Sequence, residues 1–449
     1  MKRVLRIFLG LLVLILILLM LQYPKLKIIS GYAAKYLAST VFLTQRDAEA
    51  VSMYDFDVPL ISLASAGYLS DGPGAEASVF GLQRREAFCR DGLGCTLLPE
   101  GVARPASSLK PFRKITKDTL PYPFGQGIPR DSVFPEVDYL ELKAAIDYAF
   151  ERPEEQRTRT VLVLYKDHLI AERYSDGFGP DTRVLGWSMT KSVLATLYGI
   201  LQYQGALSVD EPAGIDAWRE DDRSGITLND LLRMQSGLEW DEDYSGMSDV
   251  NKMLFTAADM AAPQAEKKLA GPPGSIWNYS SGTSNLLSGL LRKRLANDQA
   301  YLDFPYRQLI DSIGMHSMLI ETDLSGNFVG SSFGWASTRD WGRFGLLYLR
   351  RGNWNGTRIF APEWADYVSR PTEHSDGRYG AHFWLNQGGA YPDVPEDLYS
   401  ANGYQGQHVY IIPSKDLVIV RTGLAESPDF DANGFLKRIV ASIKASATY

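Results

Sequence analysis

The chain has 449 residues, of which 45% are hydrophobic, 22% charged and 12% aromatic; that is the composition of a folded protein with ample core, not of a disordered one. Its net charge of −7 and isoelectric point near 5.4 leave no basic footprint for nucleic acid. The length exceeds one ordinary domain, although large α/β and α+β enzymes use most of such a length.

At the N-terminus Lys2, Arg3 and Arg6 precede an apolar run from Ile7 to Leu21 that contains no polar side chain. The run is short for a spanning helix, long for a signal-peptide core, and no small-x-small cleavage site follows it directly. Residues 1–24 are therefore expected to be an uncleaved signal anchor in the inner membrane, with the remainder exported to the periplasm. Lys25 and Lys27 on the far side weaken the charge asymmetry that sets this orientation. Residues 25–130 are punctuated by glycine and proline, carry short β-like pieces and show no strong helical period. They read as a membrane-proximal subdomain or extended arm that ends in a linker, Pro121-Tyr-Pro-Phe-Gly-Gln-Gly-Ile-Pro129. The two cysteines, Cys89 and Cys95, enclose five residues of which two are glycine. That spacing suits a disulfide in an oxidising compartment and equally suits two free thiols.

From residue 131 onward the pattern is that of one folded domain running to 449. Leu142, Ala145, Ile146 and Ala149 give the segment 139–151 one helical apolar face. Thr160–Tyr165 and Leu169–Tyr174, turned at Lys166-Asp167, predict a hairpin. A helix begins near Ser188, runs through Val193, Leu194, Leu197, Ile200 and Leu201, and ends at Gly205. A second hairpin, 407–412 with 417–421, turns at Pro413-Ser-Lys-Asp416, and a final helix covers about 432–444. Helix, hairpin, helical middle, hairpin and helix together predict an α+β fold: an antiparallel sheet flanked by helices, with an all-helical subdomain.

The chemistry-bearing pattern is Trp187-Ser188-Met189-Thr190-Lys191-Ser192. Positions i and i+3 share a helix face, so a hydroxyl and an amine are brought side by side. A serine hydroxyl is a weak nucleophile until a neighbouring base takes its proton. At a helix start the Ser188 backbone N–H is also available to an oxyanion. The plainer alternative is that Ser188 caps the helix and Lys191 is solvated. A second Ser-x-x-Lys, Ser107 to Lys110, is followed at once by Pro111, which disfavours helical geometry there. A competing signal, Gly330-Ser-Ser332-Phe-Gly334, matches a nucleophile elbow in letters. It has turn-like residues upstream and no helix until about Ser337, so its context is wrong.

Two further pieces accompany Ser188. Tyr279 lies in a loop just before an apolar helix, where a phenol can reach into a cleft and carry a proton; the plain reading is a buried aromatic. Gly403-Tyr404-Gln405-Gly406-Gln407 opens the C-terminal hairpin. A glycine there permits close approach of a ligand, or is a simple bulge.

In this order the three pieces resemble the serine β-lactamase/penicillin-binding-protein superfamily, class C in particular, with family VIII esterases and aminohexanoate-dimer hydrolases. The likeness covers roughly 136–449 and includes Leu231–Leu238, Pro273-Gly274 with Tyr279-Ser280-Ser281, Ala336–Gly345, Tyr379–Trp384 and Gly406-Gln407 with Pro413. The resemblance implies Ser188 as acyl-forming nucleophile, Lys191 as its base and Tyr279 as proton carrier. It implies the backbone amides of Ser188 and Gln407 as the oxyanion hole. Two departures stand out: Ser281 where β-lactamases have the Asn of Tyr-x-Asn, and Tyr404 where they have the Lys of Lys-Thr-Gly. Loss of that cation argues against efficient β-lactam hydrolysis. Ser281, Tyr404, Gly406 and His408 are the substrate-binding candidates, His408 because strand alternation turns it the way Gly406 faces. No cofactor or metal is indicated. The expected function is hydrolysis of a small amide, ester or peptide-like substrate through an acyl-enzyme; the rival is a catalytically silent envelope-binding scaffold.

Overall fold

The protein is seen here as a computed structural model that describes residues 2–444 apart from 57, 59, 100, 106–108, 117 and 427–428. For residues 2, 15, 16, 18, 19 and 21 it describes the backbone alone. Ser107 and Ser108 of the second Ser-x-x-Lys therefore lie outside the described residues. The chain divides into two compact units: one made of 1–107, 241–260 and 323–325, the other of 108–240, 261–322 and 326–449.

In the first unit a single helix, Lys2–Thr44, runs through Pro24. Its continuation past residue 24 was not expected from the sequence. The reason is visible in the packing: Ile29, Ala33 and Leu37, and Tyr32 with Tyr36, recur every four residues and are buried. They pack on a four-stranded antiparallel sheet in the order β1 (Ala64–Tyr68), β2 (Gly74–Val79), β3 (Leu82–Arg90), β4 (Gly94–Leu98). Ser30 Oγ donates to the Gln83 carbonyl at 2.6 Å, and the Tyr32 ring packs tilted at 5.5 Å against Phe255 of the helix Asp249–Thr256. Cys89 and Cys95 face each other across β3 and β4 and are joined by a disulfide. The described residues of 25–98 thus form a packed helix-and-sheet layer, a subdomain in its own right. Val4, Leu5, Ile7, Phe8 and Leu9 at the start of the long helix are exposed. Among the described residues no helix is long and apolar enough to cross a membrane.

The second unit is built on a six-stranded antiparallel sheet. Its order is β12 (Trp384–Leu385), β13 (Tyr399–Gly403), β14 (Gln407–Ile412), β15 (Leu417–Gly423), β5 (Thr158–Tyr165), β6 (His168–Tyr174). The central strands β14, β15 and β5 are buried at nearly every position because both faces are covered, and most of their residues are apolar. On one face Val161, Val163, Tyr410, Leu417 and Ile419 meet Leu142 and Ile146 of the helix Tyr139–Phe150, and Phe435 and Ile439 of the helix Ala432–Ala441. On the other face lie the helices Thr338–Leu349 and Met189–Tyr203. A small sheet, β7 (Arg183–Leu185), β9 (Gly334–Ser337), β8 (Leu319–Ile320), sits beside the start of the latter, and β10 (Asn353–Trp354) with β11 (Thr357–Arg358) forms a hairpin.

Both predicted hairpins and all the predicted helices of this unit are present. Residues 108–130 also belong to it, held by side chains with no strand or helix of their own. Arg113 pairs with Asp311 at 2.7 Å, and Arg343 donates to the carbonyls of Pro123 and Gly125. Such contacts leave no periodic trace in the sequence, so the segment reads as a linker.

Truncating Ile419, fully buried between sheet and helices, should cost about 2–5 kcal/mol of stability in Ile419→Ala. Chemical denaturation checks this; a midpoint unchanged from the parent would contradict the packing described.

Candidate active site

The segment ahead of the helix Met189–Tyr203 is held at several points. Gly186 N–H donates to the Gly334 carbonyl at 2.8 Å, Thr190 Oγ1 donates to the Trp187 carbonyl at 2.7 Å, and Gly334 N–H donates to Thr190 Oγ1 at 2.9 Å. These bonds hold Trp187 at a φ of 46°, a left-handed conformation costly for a bulky residue and typical of functional turns. Ser188 follows it. The Ser188 side chain makes no capping bond, so the capping alternative does not hold. Its backbone N–H donates to no atom among the described residues. Ser188 is 9% exposed and Lys191 only 1%. Lys191 Nζ donates to Ser188 Oγ at 2.8 Å, to Ser281 Oγ at 2.9 Å and to the Ser331 carbonyl at 2.9 Å.

Two of those partners come from elsewhere in the chain. Ser280 caps the helix Ser281–Arg294 by accepting the Thr283 N–H at 2.9 Å, which sets Ser281 at the first helical position facing the amine. Ser281, expected to touch substrate, is fully buried and serves Lys191. Ser331 is oriented through its own N–H, which donates to Asn285 Oδ1 at 3.0 Å. That puts the elbow-like segment in a supporting role: Ser332 is fully buried, its Oγ pairs with Ser331 Oγ at 2.8 Å, and a strand follows it, not a helix. No motif marks Asn285, and the elbow-like motif that contains Ser331 does not single it out, because its useful atom is a backbone carbonyl.

Tyr279 is half-buried, with the Lys191 ammonium 4.9 Å from its ring centroid. Its ring lies in an aromatic cluster with Trp384 at 5.2 Å and Tyr379 at 5.7 Å, and Trp277 adjoins both at 6.3 and 5.5 Å. Hydroxyl, amine and phenol-bearing ring therefore converge on one locus.

The hairpin end of β13 closes the other side. A Cβ on Gly403 would fall 2.1 Å from the Gly186 carbonyl oxygen and 3.1 Å from Trp187 Cβ, so only glycine admits this approach. Tyr404 sets its ring edge-on to Trp187 at 5.7 Å, and burial, then Glu426, pushes its phenol pKa up. Gln407 sits differently from expectation. It lies in an interior strand, paired with Gly403 on one side, and its side chain bonds both the N–H (3.1 Å) and the carbonyl (2.5 Å) of Gly423 on the other. A backbone amide there points within the sheet plane, whereas the chain that abuts Gly186 and Trp187 is Gly403-Tyr404. His408 and Gly406 do share a face, but it is the one turned to the helices 139–150 and 432–441. His408 Nδ1 meets Asn402 Oδ1 at 3.0 Å and the ring stacks on Tyr410 at 4.8 Å; Tyr410 belongs to that helix-covered core. A role for His408 toward substrate is thereby corrected.

Residues 149–438 match the profile of the Beta-lactamase family. The chain belongs to that family. It is 24% identical over 309 residues to a 6-aminohexanoate-dimer hydrolase of Paenarthrobacter ureafaciens, covering 62% of this chain and 76% of that protein. Its fold resembles a family VIII carboxylesterase (TM-score 0.55, 16% identity, 70% of this chain and 98% of the other). It equally resembles a penicillin-binding-protein homologue from Caulobacter crescentus (TM-score 0.55, 16% identity, 70% and 99%). Within this β-lactamase-family fold, the stretch 379–384 contributes a residue whose role the sequence did not reveal. His382 is buried: its Nδ1 contacts the Leu232 carbonyl at 2.6 Å, its Nε2 contacts Ser284 Oγ at 3.0 Å, and its own carbonyl accepts Ser192 Oγ–H at 2.6 Å. It ties the Lys191 helix to the Ser281 helix.

Burial pushes the His382 pKa down from 6.5 to about 3, so it stays neutral in the fold. Unfolding releases it to take up a proton below about pH 6.5. Stability should therefore fall as the pH drops from 6.5 toward 3, by about 1.4 kcal/mol per pH unit for this proton. In His382→Gln that slope, measured by denaturation between about pH 6 and 4, should lessen by the same amount. An unchanged slope would mean the ring is already charged in the native state.

Proposed function

We propose that this β-lactamase-family protein is a serine hydrolase that cleaves an amide or ester through an acyl-enzyme on Ser188. The observation that carries the reading is the 2.8 Å bond between a buried amine and a hydroxyl at the head of a helix. In this scheme Lys191, as the neutral amine, takes the proton of Ser188 as its Oγ attacks the substrate carbonyl. That proton is relayed to Tyr279 as Tyr279 gives its own to the leaving group. The tetrahedral oxyanion is held by the backbone N–H of Ser188 and a second amide. The contacts of Gly403 with Gly186 and Trp187 favour the N–H of Tyr404 over that of Gln407 for this second donor. Tyr279 passes a proton to the leaving amine or alcohol, and water then hydrolyses the ester on Ser188 and restores the hydroxyl. The relatives named as a dimer hydrolase and a carboxylesterase support an amide or ester as substrate.

Poor β-lactam turnover belongs to the same proposal. Tyr404 supplies no cation for a carboxylate, and its ring is engaged with Trp187. We also keep the N-terminus as a tether for an exported enzyme. What supports it is the basic residues and apolar run at the start of the chain, the exposed Val4 to Leu9, and a disulfide, which persists in oxidising compartments.

Ser188→Ala should abolish hydrolysis of a chromogenic short-chain ester, and peptide mapping after a fluorophosphonate probe should find the adduct on Ser188. Adduct on Ser332 would favour the elbow-like segment. Absence of any adduct or turnover across esters, small amides and β-lactams would support the silent-scaffold reading.

A further inference from the structure

Arg421 is one of the buried cations of the second unit that the scheme above does not use. Arg421, on β15, is fully buried, and no carboxylate among the described residues pairs with it. All its donors are spent on neutral oxygens. Nη1 donates to the Gly406 carbonyl at 2.8 Å and to that of Gln405 at 3.3 Å. Nη2 donates to Thr158 Oγ1 at 2.9 Å and to the Gln156 carbonyl, and Nε to Thr158 Oγ1 at 3.2 Å. The guanidinium lies 4.1 Å from the Phe430 ring centroid.

A charge taken out of water without an opposite charge is costly, so its retention calls for a return. Here the fork clasps two carbonyls of one short turn, 404–406, and fixes that turn to the start of β5. The surroundings are cut to admit it. A Cβ on Gly406 would fall 2.4 Å from Nη1 and a Cβ on Gly423 would fall 2.4 Å from Nη2. Only glycine at both places lets the plane of the guanidinium in. The turn it holds is the one that carries Tyr404, directly after the Gly403 that abuts Gly186 and Trp187. Gly406 takes its positive φ of 79° freely, but Gln405 is held at 62°, a conformation sparsely populated by a residue with a side chain. An external hold therefore helps keep the turn in one shape.

We propose that Arg421 is a positioning residue for the oxyanion hole: its fork holds the 404–406 turn so that the Tyr404 amide stays aimed at the site of Ser188. The catalytic part of this rests on the serine-hydrolase reading; the positioning part does not. A single lysine ammonium cannot clasp both carbonyls and the Thr158 side in one plane.

The test uses the full chain and the variants Arg421→Lys and Gly406→Ala, the second displacing the guanidinium without removing it. Amide hydrogen exchange across 403–407 should speed up at least tenfold in both, while the β5 amides 161–164 keep their protection. With a p-nitrophenyl ester, kcat should fall at least tenfold with KM within about twofold. Affinity for phenylboronic acid, which forms an anionic tetrahedral adduct on a reactive serine, should fall by the same factor. Methylguanidinium added to Arg421→Ala should restore part of kcat, whereas sodium chloride should not. Unchanged exchange in 403–407 would overturn the proposal whatever the activity. Faster exchange with unchanged kcat and boronate affinity would overturn the link to the oxyanion hole. A parent chain that lacks turnover and boronate binding would sink the hydrolase reading, leaving exchange to decide the positioning of the turn.

Discussion

The amine of Lys191 is buried at 1% exposure and directed at the hydroxyl of Ser188, 2.8 Å away. An ammonium or amine in that position has three or so directions in which to bond, and two of them are filled by Ser281 Oγ and the Ser331 carbonyl. These bonds fix the amine beside the Ser188 hydroxyl. Much of the second unit can be understood as scaffolding for that restriction. The Ser280 cap fixes the start of one helix, Asn285 orients the Ser331 peptide, and the Thr190 hydroxyl bonds the turn at Trp187 to β9.

The same logic extends to the opposite wall of the site. The six-stranded sheet brings the end of β13 against Gly186 and Trp187, and the close approach depends on Gly403 having no side chain. The turn beyond it is locally disfavoured and is held from behind by a buried guanidinium. Lys191 is thus set by neutral oxygens and the 404–406 turn by a buried cation, with little dependence on exposed charge. Aromatic rings, Tyr279, Trp384, Tyr379 and Trp277, cluster beside Lys191. They give the locus an apolar lining, which strengthens the electrostatic interactions made inside it.

The fold of the second unit was legible wherever a period could be counted. The 158–174 hairpin, the 407–423 hairpin and the helices at 139, 189 and 432 all lie where alternation or a four-residue rhythm placed them. Ser188, Lys191 and Tyr279 were legible because each carries its own reactive atom in its own side chain. What escaped was of three kinds. Backbone atoms such as the Ser331 carbonyl have no letter in the sequence. Segments 108–130 and 25–44 were hidden by glycine, proline or short-range irregularity, although the first is tied down by Arg113 and Arg343 and the second by a buried helix face. His408 was placed by alternation, which tells which residues share a face but not which face meets the site; its ring stacks on Tyr410. Ser281 was read as a contact for substrate; its burial makes it a partner of the lysine.

The most direct measurement is the second-order rate at which a fluorophosphonate modifies Ser188 in Lys191→Met compared with the parent chain. Loss of the base should slow it by roughly 10²–10⁴-fold, with the fold intact by circular dichroism. A rate within a few-fold of the parent in a folded variant would contradict the account, since the serine would then be activated by something other than the amine beside it.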